Sequence, residues 1–163
     1  MYTYIHTYMA SHLAPAGSGG GGGGGAVTFG DDAAAAYAVE ITTAFNYDYT
    51  RGYVGRVPTG VTSALITVTA SNDAHVALGD SLEHDGRHWE IVLGGWGNTQ
   101  SVIRPRNQGP ALATHHGTVL HAGAPRQFWV SWGDGSLRVG EGTAPGAREM
   151  MAVALTEARA RRT

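Results

Sequence analysis

Glu90-Ile91-Val92-Leu93-Gly94-Gly95-Trp96-Gly97-Asn98-Thr99-Gln100-Ser101-Val102-Ile103-Arg104 is the stretch on which the fold turns. With Trp89, its first residues are bulky and β-branched, suited to a pleated, half-buried surface, and they predict a strand from Trp89 to Leu93. Gly94 to Asn98 break that strand, because glycine accepts backbone angles that other residues avoid. Gln100 to Ile103 predict a second short strand, which ends on Arg104. Trp96 is an unusual residue among four turn formers. It either caps the core at a sheet corner or stands out as a binding surface. Buried aromatics mostly serve packing, so the cap is the expectation.

The pattern continues on both sides. Upstream, Ala64 to Ala70 (ALITVTA) reads as a strand, Ser71-Asn72-Asp73 as a break and Ala74 to Leu78 as another strand. Gly79 to Arg87 is a polar loop. Tyr37, Val39 and Ile41 alternate with Ala38, Glu40 and Thr42 at the period of two that a strand requires. Asp31 to Ala36 is compatible with a helix start instead, and Phe45 to Val57 reads as strand and loop. Downstream, Pro105 to His116 is a loop by its Pro, Gly and Asn content, and Gly117 to His121 a short strand. Gln127 to Trp132 is a strand with Phe128, Val130 and Trp132 on one face and Trp129 on the other. Gly133-Asp134-Gly135 turns it back into Ser136 to Val139. Short strands punctuated this densely by turns predict an all-β, antiparallel, jelly-roll-like sandwich spanning residues 26–142.

The two ends read differently. Residues 1–25 are expected to be a flexible segment. Tyr2, Tyr4, His6 and Tyr8 would share one strand face able to add to a sheet edge, or else belong to a tail. Gly17 to Gly25 reads as a linker, since a phosphate loop needs a strand before it and a helix after it. Residues 143–163 predict a short C-terminal helix. Ala147 to Arg162 are good helix formers, with Met151, Leu155 and Ala158 on one stripe. Glu149 near the start and Arg159, Arg161 and Arg162 near the end match the helix dipole.

Composition narrows the function classes. The chain has 163 residues, a net charge of -2 and only 15% charged residues, with all 11 basic residues arginine. No clustered basic face marks a nucleic-acid surface. Without cysteine there are neither disulfides nor thiolate metal sites. No apolar run approaches the roughly 20 residues needed to span a bilayer. The first residues lack the basic and apolar regions of a signal peptide, so a soluble protein is expected, its compartment (extracellular or cytoplasmic) unread.

Few residues suggest chemistry. His84 and His88 lie in a Gly-containing loop, and His115, His116 and His121 surround a predicted strand start. Neither set has metal-ligand spacing on a helix, so no metal is expected. Ser131 is mid-strand, not at a nucleophile elbow. Asp80, Glu83 and Asp85 belong to one solvated loop, so no catalytic pair emerges. The more informative set stands at strand ends: Asn72, Asp73, His75, Trp96, Asn98, Ser101 and Arg104. Trp96 would stack on a sugar ring or apolar ligand, with Asp73, Asn98 and Arg104 supplying directional hydrogen bonds. The structural alternative has Asp73 and Asn98 satisfying backbone donors in turns, and Arg104 paired with Asp73.

Three motifs, Asn72-Asp73-Ala74-His75-Val76-Ala77-Leu78, the Glu90 to Arg104 stretch and Phe128-Trp129-Val130-Ser131-Trp132, stand in an order and spacing that resemble the farnesoic acid O-methyltransferase domain. The resemblance covers Ser63 to Gly142, and the Arg-rich end departs from it. It implies methyl transfer from S-adenosylmethionine to farnesoic acid. The residues themselves lack the strand–helix alternation and glycine-rich strand-to-helix turn of common cofactor-binding sheets. A fold-level name is also a weak warrant for chemistry. The expectation is therefore a non-catalytic module without cofactor, recognising a carbohydrate or protein ligand through its strand-end loops. The methyltransferase is the alternative. A third reading is an assembly subunit, forming homo- or hetero-oligomers through the N-terminal segment or the C-terminal helix.

Overall fold

Period-two alternation decides the architecture seen in the computed structural model, which describes residues 3–9, 23–29, 37–43, 53–57, 59–79 and 88–156. The strands are β1 (Thr3–Met9), β2 (Gly23–Phe29), β3 (Tyr37–Thr43), β4 (Tyr53–Val57), β5 (Ser63–Thr69) and β6 (Ala74–Gly79). They continue with β7 (His88–Gly94), β8 (Gln100–Arg104), β9 (Ala113–His116), β10 (Arg126–Ser131), β11 (Ser136–Glu141) and β12 (Glu149–Ala154). One sheet has the order β4-β1-β6-β7-β8-β9 and the other β12-β11-β10-β5-β2-β3. Every pairing is antiparallel.

Between the sheets lies one apolar core. Val76, Leu78, Ile91, Leu93 and Ile103 come from the first sheet, and Ile66, Val68, Phe128, Val130, Leu137, Val139 and Met151 from the second. These residues alternate along their strands, as a sandwich with two inner faces requires. The all-β sandwich read from the sequence is therefore the fold. Trp129 points the other way, as its parity with Phe128 and Val130 predicts. Its ring is fully buried, and its indole Nε1 donates to the Ala147 carbonyl at 2.7 Å.

Several local expectations are corrected. Within the predicted C-terminal helix, Glu149–Ala154 instead form strand β12, with Met151 opposite Val139 and Val153 opposite Leu137. Helix propensity is a weak preference that tertiary context overrides. Here the open edge of β11 offers a row of backbone donors and acceptors, and the core takes Met151. The end of the supposed linker, Gly23 to Gly25, lies in β2 against Thr43 to Ile41. Ladder bonds come from the backbone, so glycine can make them without side-chain help. β1, expected to be part of a flexible segment or an edge, sits between β4 and β6. The strand predicted at Gly117 to His121 is absent, and Ala113–His116, taken as loop, pairs with β8 instead. The loop at residues 80–87, the helix start at 31–36 and residues 157–163 fall outside the described residues.

Among the described residues no helix is long and apolar enough to cross a membrane.

Candidate functional site

The two ladders around β7 set the site. Glu90 stands directly opposite Arg104 on β8 and Ala77 on β6. Ile91 and Leu93 face the core, so Glu90 and Val92 face outward, yet Glu90 is 0% exposed. Its Oε1 lies 3.2 Å from His75 Nδ1. Its Oε2 accepts from Arg104 Nη1 at 2.9 Å and from the Gln108 backbone N–H at 3.0 Å. A buried carboxylate is tolerated only when paired and hydrogen-bonded in this way. Glu90 went unremarked in the sequence because strand parity places it outward, where charge is ordinary. Where the structural alternative paired Arg104 with Asp73, the arginine pairs with Glu90, the carboxylate that the β7–β8 register sets opposite it.

The turn after β7 is left-handed. Trp96, Gly97 and Asn98 take φ of 52°, 69° and 64° in succession. The Thr99 N–H closes the turn on the Gly95 carbonyl at 3.0 Å. Left-handed backbone costs an L-residue about 1–2 kcal/mol, with glycine and asparagine the usual exceptions. Trp96 is thus the residue that carries the strain, and such strain persists only where surrounding structure imposes it. Asn98 imposes it here. Its Oδ1 accepts from the N–H groups of Val119 and Leu120, both at 3.0 Å, and its Nδ2 donates to the Leu120 carbonyl at 2.8 Å. Gly94, also left-handed with φ 60°, has no room for a side chain. A Cβ there would lie 2.7 Å from Asn98 Oδ1 and 2.8 Å from Leu120.

Trp96 does not cap the core. It is 51% exposed, the large hydrophobic that stands out among the described residues. The reason is conformational: a left-handed turn carries the side chain back along the sheet's outer face, away from the core. There the Arg104 guanidinium carbon lies 5.3 Å from its ring centroid. One ring face rests on the arginine while much of the ring meets solvent.

The strand-end residues thus divide into two groups. Trp96 and Arg104 meet on the outer face, and His75 joins Arg104 through Glu90 while staying buried. The rest build the turn. Ser101 Oγ accepts from the Gly94 N–H at 3.0 Å, and the Asp73 N–H donates to the Gly94 carbonyl at 2.9 Å. Asn72 is buried and donates from Nδ2 to Asp73 Oδ2 at 2.7 Å. Among the described residues no three His, Asp or Glu side chains converge as a metal site would require.

With the site in view, comparison with known families is decisive on kinship. The sequence model described as farnesoic acid O-methyl transferase matches residues 42–158. The chain belongs to the farnesoic acid O-methyltransferase family. The match runs from within β3 past β12, so the last strand lies inside the family region although the resemblance read from the motifs ends at Gly142. No curated protein and no solved structure matches the chain. In this member of the farnesoic acid O-methyltransferase family, the motif glycines and asparagine therefore have a physical reason: they build the left-handed turn that presents Trp96.

Proposed function

We propose that this protein is a non-catalytic binding module, which takes its ligand at the Trp96 turn. The observation that carries the reading is the strained, half-exposed Trp96 ring, backed by Arg104 and held by the three hydrogen bonds of Asn98. Backbone strain at an exposed aromatic concentrates at sites of function, because packing alone gives no reason to sustain it. A rigid aromatic with one free face contributes contact at little entropic cost.

The family's name favours a second reading, methyl transfer from S-adenosylmethionine. A nucleotide-type cradle for that cofactor needs a glycine-rich turn leading from a strand into a helix, then an acidic ribose ligand. The Gly94–Gly97 turn leads instead from β7 into β8, and residues 91–133 contain neither Asp nor Glu. The residues at this turn do not fit such a cradle.

Two titrations of the full chain test the proposal. S-adenosylmethionine is expected to give no heat by calorimetry; micromolar binding would overturn the non-catalytic reading. On an array of immobilised glycans the protein is expected to be retained by at least one, and Trp96→Ala to lose that retention. Retention that survives in a folded Trp96→Ala variant removes the turn as the site.

A further inference from the structure

Resting on the binding reading above, we infer that the ligand is a neutral, hydroxyl-bearing ring, a sugar, bound on the outer face along the exposed edge strand β9. The inference begins from register. On β8 the outward positions are Gln100, Val102 and Arg104, and on β9 His116 stands opposite Gln100 and Thr114 opposite Val102. Thr114 and His116 are exposed, and Gln100 is half-buried. The Trp96 ring meets Arg104, whose position on β8 belongs to this same face. The register thus sets a hydroxyl, an imidazole and a carboxamide on the sheet face where Arg104 meets the aromatic ring.

These three side chains are uncommitted. Among the described residues none of them makes a hydrogen bond or ion pair, whereas the polar groups of Asn98, Ser101 and Glu90 are spent on the fold. Gln100, Thr114 and His116 offer both donors and acceptors, the complement that hydroxyl groups need. An aromatic face with a few directional polar groups is the ordinary make-up of a small-ligand site.

Charge decides against an acidic ligand. Arg104 is the cation that lies over the ring, and Glu90 holds it at 2.9 Å, so its charge is already balanced. A cationic ligand is disfavoured as well. The guanidinium already occupies one face of the ring, where a cation would otherwise sit.

The test is an NMR titration of the full chain with methyl glycosides of glucose, galactose, mannose and N-acetylglucosamine, with glucuronate as the acidic counterpart. One of the neutral glycosides is expected to move the Trp96 indole resonance together with the Thr114 and His116 amides. Trp96→Ala should weaken that glycoside about tenfold. Thr114→Ala and His116→Ala, on an exposed edge where folding is unaffected, should each weaken it about threefold. If only glucuronate moves these resonances, the inference falls while the Trp96 module stands. Neutral binding indifferent to Thr114→Ala and His116→Ala also overturns the inference, as does the absence of any shift. Neutral binding indifferent to Trp96→Ala overturns both proposals.

Discussion

The Arg104 guanidinium is shared between two partners: Glu90 Oε2 at 2.9 Å and the Trp96 ring, 5.3 Å from its centroid. One arginine so joins a fully buried carboxylate to the most exposed large hydrophobic among the described residues. The pairing orients the ring without leaving the charge unbalanced, since the planar guanidinium offers separate N–H edges and a flat face.

Glu90→Gln should be costly. It leaves Arg104 and its neighbours around a neutral group in a buried site, and losing one partner of a buried ion pair typically costs about 3–5 kcal/mol. Urea denaturation of the full chain measures it. A loss below about 1 kcal/mol would show that the Glu90 site is well solvated.

Trp96→Ala should instead leave the fold in place. The variant gives up a cation–π contact of about 0.5–1 kcal/mol at a half-exposed site, while alanine keeps much the same backbone strain. A thermal midpoint within a few degrees of the parent's is expected. A wholly unfolded Trp96→Ala chain would restore the core-capping role to this residue.

Asn98→Ala is expected to loosen the turn from its neighbours. It removes the acceptor for two N–H groups and the donor to one carbonyl, and each buried group left unsatisfied costs about 1–3 kcal/mol. Hydrogen exchange at the Val119 and Leu120 amides should accelerate markedly. Unchanged protection there would place those donors on other partners.

Gly140→Ala should strain the opposite sheet. A Cβ at Gly140 would lie 2.4 Å from Trp129 Cζ2, in a ring that is fully buried and tied to Ala147. Overpacking of this kind costs about 1–3 kcal/mol, readable as a lower thermal midpoint and altered tryptophan fluorescence.

Acid should weaken the β10–β11 hairpin. The Ser136 hydroxyl and N–H both donate to the exposed Asp134 carboxylate, which holds its pKa below the ordinary 3.8. A depressed folded-state pKa means that this contribution is present above the unfolded value and is lost as pH falls through the folded one. Asp134→Asn should therefore flatten the stability profile below about pH 4, as acid titration followed by circular dichroism would record. A profile identical to the parent's would show that the carboxylate contributes nothing.

Two kinds of information separate in this molecule. Strand alternation around Ile91, Val130 and Val139 is a local property of sequence, because side-chain parity along a strand is fixed by the pleat. The sandwich was legible for that reason, as was the Gly94–Asn98 break. The roles of Glu90, Trp96 and β12 were not. Whether Glu90 is solvated depends on the register that brings Arg104 and the Gln108 N–H to it, and register is a pairing between distant segments. Trp96 was read as a core cap because its handed turn is imposed from afar by Val119 and Leu120 through Asn98. Glu149 to Ala154 have helix-forming composition, but the unpaired edge of β11 and the core space for Met151 outweigh that preference. Sequence alone determined the strands and the residues able to turn; tertiary pairing decided which face each charge met, and left Trp96 on the outside.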